Sequence, residues 1–173
     1  MIVILIGYMA SGKSTIGKIL AKKLNCEFLD LDNYIESQEN MVISDIFKSK
    51  GEIYFRKAET KYLKKVLNTK SKLVLSLGGG VPCYNNNMQL ILTAKNAVSV
   101  YLKASISTLA NRLKNESANR PIIAHIDNEE QLSEFIGKHL FERSPFYVQA
   151  NKTIVVDKKI ETEIIEEIVA GLF

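Results

Sequence analysis

One short segment near the start of the chain constrains the fold more than any other feature. It is Gly7-Tyr8-Met9-Ala10-Ser11-Gly12-Lys13-Ser14, which fits the pattern G-x-x-x-x-G-K-S position for position. The apolar, β-branched run 2–6 precedes it, and apolar residues at helical spacing follow over 14–24. A strand, a glycine-rich loop and a helix in this order predict an α/β unit with a phosphate-binding loop (P-loop).

The residue types in this loop suit a polyphosphate ligand. Glycines allow consecutive backbone N–H groups to curl around phosphate oxygens, and the helix N-terminus adds partial positive charge. Lys13 can reach the β- and γ-phosphates, and Ser14 can ligate Mg²⁺. An ordinary glycine-rich turn between a strand and a helix would not need Lys13 and Ser14 at the helix start.

Short apolar runs alternate with helical patterns along the rest of the chain. Strands are predicted at 2–6, 27–31, 72–77, 97–102 and 153–156. Helices are predicted at 14–24, 43–50, 52–67, 85–93, 105–114, 128–147 and 160–172, and the segment 115–127 is polar and irregular. This alternation predicts an α/β sandwich with a parallel central sheet, which binds ligands at the carboxyl ends of its strands.

Composition narrows the function classes further. The 173 residues suit one domain, 1–173, and the formal net charge of +4 is spread along the chain. A nucleic-acid binder would show a denser basic stripe, and no apolar stretch reaches the ~18 residues of a membrane span. Cys26 and Cys83 lie far apart and outside metal-ligand spacing. We therefore expect a cytoplasmic monomer with reduced thiols, no nucleic-acid partner and no membrane association.

Two carboxylates follow the second predicted strand. Asp30 and Asp32 flank Leu31, and alternate residues of a strand-like segment point the same way. One carboxylate can hold a metal ion through water, and the other can accept a proton from an attacking hydroxyl. The alternative is structural, because Asp32 can cap a helix that begins at Asn33.

Arginines and glycines supply candidate anion ligands. Arg56 lies one helical turn before Glu59, which can hold its guanidinium, although a plain surface ion pair has the same spacing. Gly78-Gly79-Gly80 ends the third strand, where backbone can approach a ligand or simply turn tightly. Arg120, before Pro121, can be delivered by a mobile lid or lie in an exposed loop. Arg143 is a second candidate for an anionic group.

A P-loop alone leaves ATPase, GTPase and kinase activity open. The Asn-Lys-x-Asp segment typical of GTP-reading proteins is absent from the sequence, and the third strand ends in glycine rather than aspartate. The segments that carry further information are Lys13-Ser14-Thr15, Asp30-Leu31-Asp32, Ile46-Phe47 with Gly51-Glu52 and Phe55-Arg56, Ser76-Leu77-Gly78-Gly79-Gly80, Arg120-Pro121, and Glu142-Arg143 with Tyr147. In this order and combination the chain resembles the shikimate kinase family over essentially its whole length.

The resemblance implies a three-layer α/β/α sandwich of the P-loop type with a five-stranded parallel sheet. Substrate-binding helices would span about 31–67, and a lid would span about 115–127. The implied reaction transfers the γ-phosphoryl group of ATP to the 3-hydroxyl of shikimate, with Mg²⁺, in aromatic amino acid biosynthesis.

The resemblance also implies roles for individual residues. The implied ATP ligands are Gly7, Ala10, Ser11, Gly12, Lys13, Ser14, Thr15, Arg112 and Arg120. The implied shikimate ligands are Asp32, Arg56, Gly78, Gly79, Gly80 and Arg143, with Mg²⁺ held by Ser14 and Asp30. Lys13, Asp32 and Arg120 would act in catalysis, with Arg112 near the adenine.

Two departures from the family pattern and two competing functions remain. Ala10 stands where the family often has glycine, and Asp157-Lys158-Lys159 supplies no clear adenine-contacting arginine.

Another small-molecule kinase, directed at gluconate or a nucleotide, has the same loop. A non-enzymatic nucleotide switch or an ATPase module also has it, but would not need Asp32, Arg56 and three glycines together. Paired aspartates and two arginines suit a cyclic hydroxy-acid better than a nucleotide.

Overall fold

The computed structural model describes residues 1–69, 71–114, 126 and 128–172. Its strands are β1 (Ile2–Ile6), β2 (Glu27–Asp30), β3 (Leu73–Ser76), β4 (Ala97–Lys103) and β5 (Lys152–Val155). Its helices are α1 (Lys13–Lys23), α2 (Leu31–Glu39), α3 (Ile43–Leu67), α4 (Asn87–Thr93), α5 (Ile106–Lys114), α6 (Glu129–Tyr147) and α7 (Glu161–Ala170). A 3₁₀ turn at Val81–Cys83 follows β3.

The five strands form one parallel sheet in the order β2-β3-β1-β4-β5. β1 is central, and all five of its residues are buried. Because successive side chains of a strand point to opposite faces, burial of every residue means that both faces of the sheet are covered. The predicted three-layer α/β/α fold with a five-stranded parallel sheet is confirmed.

Strand order determines where the loops meet. β1 lies between β3 and β4, and β2 lies beside β3 at the sheet edge. In a parallel sheet all carboxyl ends lie on one edge, so the P-loop after β1, Asp30 at the end of β2 and Gly78 after β3 are brought together. The separate motifs of the sequence therefore share one edge of the sheet.

The helices pack on this sheet and on one another. α1 packs on β2 and β3 and also contacts α7, whereas α4 packs on β4 and contacts α3. α5 packs against α6, the two helices that flank the predicted lid. Among the described helices, none combines the length and apolarity needed to cross a membrane.

The region between β2 and β3 differs from the sequence prediction in one element. Residues 27–31 were expected to form a strand, but β2 ends at Asp30 and α2 begins at Leu31 with no intervening loop. The predicted helices at 43–50 and 52–67 are both present and meet at Gly51. Gly51 has φ 80° and ψ 171°, a conformation that only glycine adopts readily, so α3 is broken there.

One carboxylate ties α2 to both parts of α3. Glu39 Oε2 accepts hydrogen bonds from Tyr54 Oη at 2.6 Å and Lys50 Nζ at 3.0 Å, and its Oε1 accepts one from Tyr62 Oη at 2.7 Å. These donors lower the pKa of Glu39 to about 2, so it is ionised at neutral pH. We call these four residues the Glu39 network; it connects Lys50, before the break at Gly51, with Tyr54 and Tyr62, after it.

Close packing of α1 on the sheet gives a test of the fold. A methyl group at Gly17 would overlap the ring of Phe28 and lie 3.3 Å from Leu5. At Gly137, on α6, a methyl group would meet only Ile106, at an ordinary 3.6 Å. Gly17→Ala should therefore lower the free energy of unfolding by about 1–2 kcal/mol through overpacking.

The matched control is Gly137→Ala, which should raise the free energy of unfolding by up to about 1 kcal/mol through helix propensity. Urea denaturation of both variants measures the difference. Equal stabilisation by the two substitutions would contradict the packing of α1 on β1 and β2.

Candidate active site

A cavity of about 440 Å³ lies at the carboxyl edge of the sheet. The P-loop forms its floor, and the ends of β2 and β3 form one wall. Its lining is Met9, Ala10, Ser11, Gly12, Lys13, Ser14, Thr15, Ile16, Asp30, Asp32, Ser76, Leu77, Gly78, Gly79, Arg112, Lys159, Glu161 and Ile164. Most of the predicted ATP and metal ligands are therefore brought together around one space; Gly7 is not part of the lining.

The P-loop presents donors that suit an anion. Lys13 Nζ donates to the carbonyl oxygens of Gly7 at 3.0 Å and Tyr8 at 2.8 Å, which holds the ammonium over the loop. α1 begins after Gly12 (φ 99°) with no side-chain cap, so N–H groups of its first turn are left for a ligand. Ser11 Oγ is buried and has no hydrogen-bond partner within the described part of the chain. An orphaned hydroxyl beside an uncapped helix start fits a phosphate group.

Ala10 adopts a backbone conformation that favours glycine. Its φ is 60°, in the left-handed region, where a side chain costs about 1 kcal/mol or more. The Ala10 carbonyl accepts a hydrogen bond from Arg112 Nη1 at 3.0 Å, which connects the loop to α5. Glycine at this position would avoid the strain, which is a physical reason for the glycine often found there in the family pattern.

Ser14 and Asp30 form a pair at the cavity wall. Ser14 Oγ donates to Asp30 Oδ2 at 3.2 Å, and Asp30 Oδ1 accepts from the backbone N–H of Asp32 at 3.1 Å. The helix cap of α2 is therefore Asp30; the expectation that Asp32 caps a helix was wrong, because α2 begins two residues earlier than that alternative assumed.

These two oxygen donors fit a magnesium ion. Mg²⁺ prefers one or two protein oxygen ligands and fills its other positions with water and substrate phosphates. Consistent with such a sparse ligand set, the described residues contain no cluster of three or more His, Cys, Asp or Glu side chains arranged for a metal. Ser14 and Asp30 are the residues that would hold the ion.

Asp32 lies in an electrostatically unfavourable position. Burial and the charge of Asp30 together raise the pKa of its carboxyl to about 6, against the opposing charges of Lys13 and Arg56. Its carboxylate lies against Gly78, which follows β3: a Cβ at Gly78 would be 2.9 Å from Asp32 Oδ1. A carboxylate with a pKa close to neutral pH is suited to accept a proton from a hydroxyl group.

Arg56 is held rigidly on α3. Its Nη1 donates to Glu59 Oε2 at 2.9 Å, the contact predicted from their spacing, and its Nε donates to Glu52 Oε1 at 3.3 Å. The guanidinium carbon also lies 3.8 Å from the centre of the Tyr84 ring. Burial raises the pKa of Glu59 to about 7, although the Arg56 charge opposes this. The structure therefore has a preorganised guanidinium rather than a surface ion pair.

The three consecutive glycines each face a different predicted ligand. Gly78 faces Asp32, a Cβ at Gly79 would lie 3.5 Å from Arg143 Nη1, and a Cβ at Gly80 would lie 2.9 Å from Arg56 Nη1. None of their N–H groups donates a hydrogen bond to another described residue. This stretch, 78–80, which we call the glycine loop, combines unused backbone donors with two guanidinium groups. Such a set suits a carboxylate.

Arg56, Gly80 and Arg143 do not line the cavity itself. They lie at the far side of the glycine loop, where Arg143 also approaches the ring of Tyr8 at 5.7 Å. The site therefore has two adjoining parts, a phosphate-suited cavity and a carboxylate-suited cluster, which meet at Asp32, Gly78 and Gly79.

The opposite end of the cavity is formed by α5 and α7. Arg112 reaches the P-loop there, and a Cβ at Gly12 would lie 3.7 Å from its Nη1. Lys159, Glu161 and Ile164 also line this end, although no sequence motif predicted a role for them. Arg120 falls outside the described residues, as does all of the predicted lid except Ile126.

Several aromatic partners of the site received no role from the sequence. Tyr84 stacks on Arg56, and Tyr147 Oη donates to the carbonyl of Gly79 at 2.6 Å. Tyr8 Oη lies 3.1 Å from His139 Nδ1, so His139 supports the P-loop tyrosine from α6. Tyr84 and Tyr147 contact residues far away in sequence, so no local spacing predicts them.

Comparison with known proteins agrees with this geometry. The family model for shikimate kinase matches residues 9–172. A shikimate kinase of Flavobacterium psychrophilum is 46% identical over 171 residues, which cover 99% of this chain and 98% of that protein.

Solved structures give the same result. A shikimate kinase from Bacteroides thetaiotaomicron superposes with a TM-score of 0.89 at 32% identity, over 99% of this chain and 98% of that one. A shikimate kinase from Acinetobacter baumannii in complex with shikimate superposes with a TM-score of 0.84 at 30% identity, over 99% and 92% of the two chains. With its sheet, its P-loop and its full length all matched, the chain belongs to the shikimate kinase family.

Proposed function

We propose that this protein transfers the γ-phosphoryl group of ATP to the 3-hydroxyl of shikimate, giving shikimate 3-phosphate and ADP, a step of aromatic amino acid biosynthesis. The observation that carries the proposal is the glycine loop, where Asp32, Arg143 and Arg56 each face one glycine. A carboxylate-suited cluster and a hydroxyl-suited carboxylate lie next to a P-loop cavity. A ring that carries one carboxylate and several hydroxyls matches this arrangement.

The acid end of the substrate is held by Arg56, Arg143 and the backbone N–H groups of Gly79 and Gly80. A planar carboxylate takes hydrogen bonds in fixed directions, so two guanidinium groups determine the orientation of the ring. Gly78 and Gly80 contribute by lacking side chains, because a Cβ at either would displace Asp32 or Arg56. This orientation directs the hydroxyl side of the ring toward Asp32.

Asp32 binds the ring hydroxyls and accepts the proton of the attacking one. With a pKa of about 6, the carboxyl of Asp32 is ionised at neutral pH. This pKa is close enough to neutral pH for the carboxylate to take up a proton from the hydroxyl group. Phosphoryl transfer through a loose transition state needs little help from a base, so positioning of the hydroxyl by Asp32 contributes alongside proton transfer.

ATP is held by the P-loop residues Gly7, Ala10, Ser11, Gly12, Lys13, Ser14 and Thr15, with Arg112 at the adenine end. Ser14 and Asp30 hold Mg²⁺, which when bound neutralises phosphate charge and polarises the transferring group. Lys13 places a buried positive charge where negative charge grows during transfer. Arg120, from the lid, supplies a second positive charge to that group. A cytoplasmic location and a monomeric state complete the proposal.

Two other functions are weighed against this one. A kinase for gluconate or a nucleotide would share the P-loop cavity, but a nucleotide carries a phosphate and a base rather than a ring carboxylate. An ATPase module would not need a carboxylate-suited cluster with a preorganised arginine beside its phosphate-suited cavity. The contacts of Arg56 with Glu59 and Tyr84 favour a carboxylate-bearing acceptor over a nucleotide and over water. Gluconate also bears a carboxylate, so a direct comparison of acceptors is what separates it from shikimate.

Turnover of ATP distinguishes these possibilities. Release of ADP is measured with shikimate, with gluconate, with a nucleoside monophosphate and without acceptor. Rapid release that needs shikimate supports the proposal. Release that is independent of acceptor indicates an ATPase, and release that depends on gluconate or the nucleotide indicates another kinase.

The P-loop lysine gives the first prediction about catalysis. Lys13→Ala should lower kcat by roughly 100- to 1000-fold, because a preorganised charge at the transferring group is lost. The fold should persist, as measured by circular dichroism. Lys18→Ala, at an exposed lysine of the same helix, is the matched control and should behave as wild type. Near-normal kcat in folded Lys13→Ala protein would refute the assigned role.

Ionised Asp32 should lower the stability of the folded protein while it supports catalysis. Its pKa in the folded protein is about 6 against an ordinary 3.8, so the folded state binds this proton more tightly than the unfolded state does. The contribution of Asp32 to the free energy of unfolding therefore falls as pH rises from about 4 to about 6 and remains reduced above. Asp32→Asn removes the charge and should be more stable above pH 6 by about 1–3 kcal/mol, with no gain near pH 4.

The same variant should lose at least ~100-fold in kcat, since an amide cannot accept the hydroxyl proton. Denaturant unfolding at pH 4 and pH 7.5, together with steady-state kinetics, measures both effects. Asp45→Asn, at an exposed aspartate of α3, is the control. Unchanged kcat with a raised KM for shikimate would leave Asp32 only an orienting role. A stability gain that does not vary with pH would contradict its burial as an ionised group.

Arg56 should determine which acid is accepted. Arg56→Lys should lower kcat/KM for shikimate by roughly 10- to 100-fold, because an ammonium cannot reproduce the bidentate fork. ATP affinity measured alone should stay near normal. Lys57→Ala, at the exposed neighbour, is the control. Because Arg56→Ala would strand buried Glu59, it is best combined with Glu59→Gln.

The decisive comparison uses shikimate and an analogue in which a neutral amide replaces the carboxylate. Wild type should discriminate strongly between the two compounds, and the Arg56 variants should discriminate weakly. If wild type and the Arg56 variants discriminate equally between the two compounds, Arg56 is not a ligand of the substrate carboxylate.

A further inference from the structure

The last residue of α6 is a tyrosine whose phenol is directed to the back of the glycine loop. Tyr147 is fully buried, and its Oη donates to the carbonyl oxygen of Gly79 at 2.6 Å. Its ring packs against that of Tyr101 on β4, with the centroids 5.2 Å apart. The position of this phenol is therefore fixed by the core of the protein and not by the substrate.

The phenol lies beside the guanidinium of Arg143, one helical turn earlier on α6. From a Cβ placed at Gly79, Arg143 Nη1 and Tyr147 Oη would both be 3.5 Å away, and the Gly7 carbonyl would be 3.4 Å away. Burial is the larger influence on the pKa of the phenol, and the positive charge of Arg143 acts in the opposite direction, as expected for two neighbouring groups. Since the one proton of Tyr147 is given to Gly79, the lone pairs of its oxygen face no competing donor role and can stabilise the guanidinium.

The bond to Gly79 also fixes the direction of a donor. In a trans peptide the carbonyl of one residue and the N–H of the next point in opposite directions, and the chain contains no cis peptide among its described residues. Holding the Gly79 carbonyl toward Tyr147 therefore turns the N–H of Gly80 away from it. Burial raises the pKa of Tyr147 well above its usual value, so the phenol remains a donor throughout the working pH range.

We propose that Tyr147 is a positioning residue for carboxylate recognition: its phenol orients the glycine-loop peptide and the Arg143 guanidinium together. This inference rests on the proposed function, because it assumes that the glycine loop and Arg143 hold the acid group. Tyr147 itself is separated from the substrate by these two groups. Loss of its hydroxyl should therefore weaken binding of the acid without altering the ATP site.

The variant Tyr147→Phe tests this inference. Phenylalanine keeps the ring and its packing on Tyr101 but removes the hydroxyl. We expect KM for shikimate to rise roughly tenfold, kcat to change less than threefold, and KM for ATP to stay unchanged, since one buried hydrogen bond is lost. KM does not depend on the concentration of active enzyme, so partial unfolding of the variant cannot imitate this result.

Tyr101→Phe is the matched control. Tyr101 is also a buried tyrosine, it packs on the same ring, and its hydroxyl has no hydrogen bond to another described residue. Tyr101→Phe should leave KM for shikimate at the wild-type value. An equal rise in both variants would assign the effect to general loosening of the core and overturn the proposal.

A double-mutant cycle with Arg143→Ala tests the route of the effect. If Tyr147 acts through Arg143 and the loop it contacts, Tyr147→Phe should raise KM for shikimate much less in the Arg143→Ala background than in the wild type. Fully additive effects would overturn the coupling. Wild-type protein that does not use shikimate at all would instead refute the proposed function, whereas active wild type with an unaffected Tyr147→Phe variant refutes this inference alone.

Discussion

The close approach of the glycine loop to three side chains is the constraint on which the rest of the site depends. Asp32, Arg143 and Arg56 come from α2, α6 and α3. Asp32 and Arg56 would lie 2.9 Å from a Cβ at Gly78 and Gly80, and Arg143 lies at contact distance, 3.5 Å, from a Cβ at Gly79. Because the parallel sheet delivers this loop beside the P-loop, a carboxylate-binding cluster adjoins a phosphate-binding cavity. The family relationship and the geometry therefore agree about which chemistry the site suits.

The site brings ionisable side chains together in a way that does not favour the stability of the folded protein. Buried Glu59 and partly buried Asp32 are carboxylates with raised pKa values, and Asp30 lies close to Asp32. Arg56, Lys13 and Arg143 compensate only in part. A free protein that holds these groups together is storing electrostatic strain, which bound substrates and a cation can relieve. Left-handed Ala10 in the P-loop adds a smaller backbone contribution.

Much of the fold could be predicted from local patterns, because β1, the P-loop and α1 each carry a distinct signature over a few residues. The site residues Lys13, Arg56 and 78–80 were located for the same reason. The helices predicted from periodicity did not include α2, because Asp30-Leu31-Asp32 has the alternation of a strand while the helix begins at Leu31 without a turn; only the family resemblance implied helices from about residue 31. Tyr84 and Tyr147 were not assigned to the site because each meets its partner through packing of distant segments. The electrostatic state of Asp32 depends on burial, which spacing does not reveal.

The Glu39 network has a consequence for how the substrate side can move. It joins the end of α2 to α3 both before and after the break at Gly51, although Gly51 would otherwise be a natural hinge. Asp32 and Arg56 lie on these two helices, so the network joins the elements that carry the hydroxyl-suited and the acid-suited side chains. A movement that changed the separation of these two side chains by bending α2 away from α3 would have to break hydrogen bonds made far from either end of the substrate.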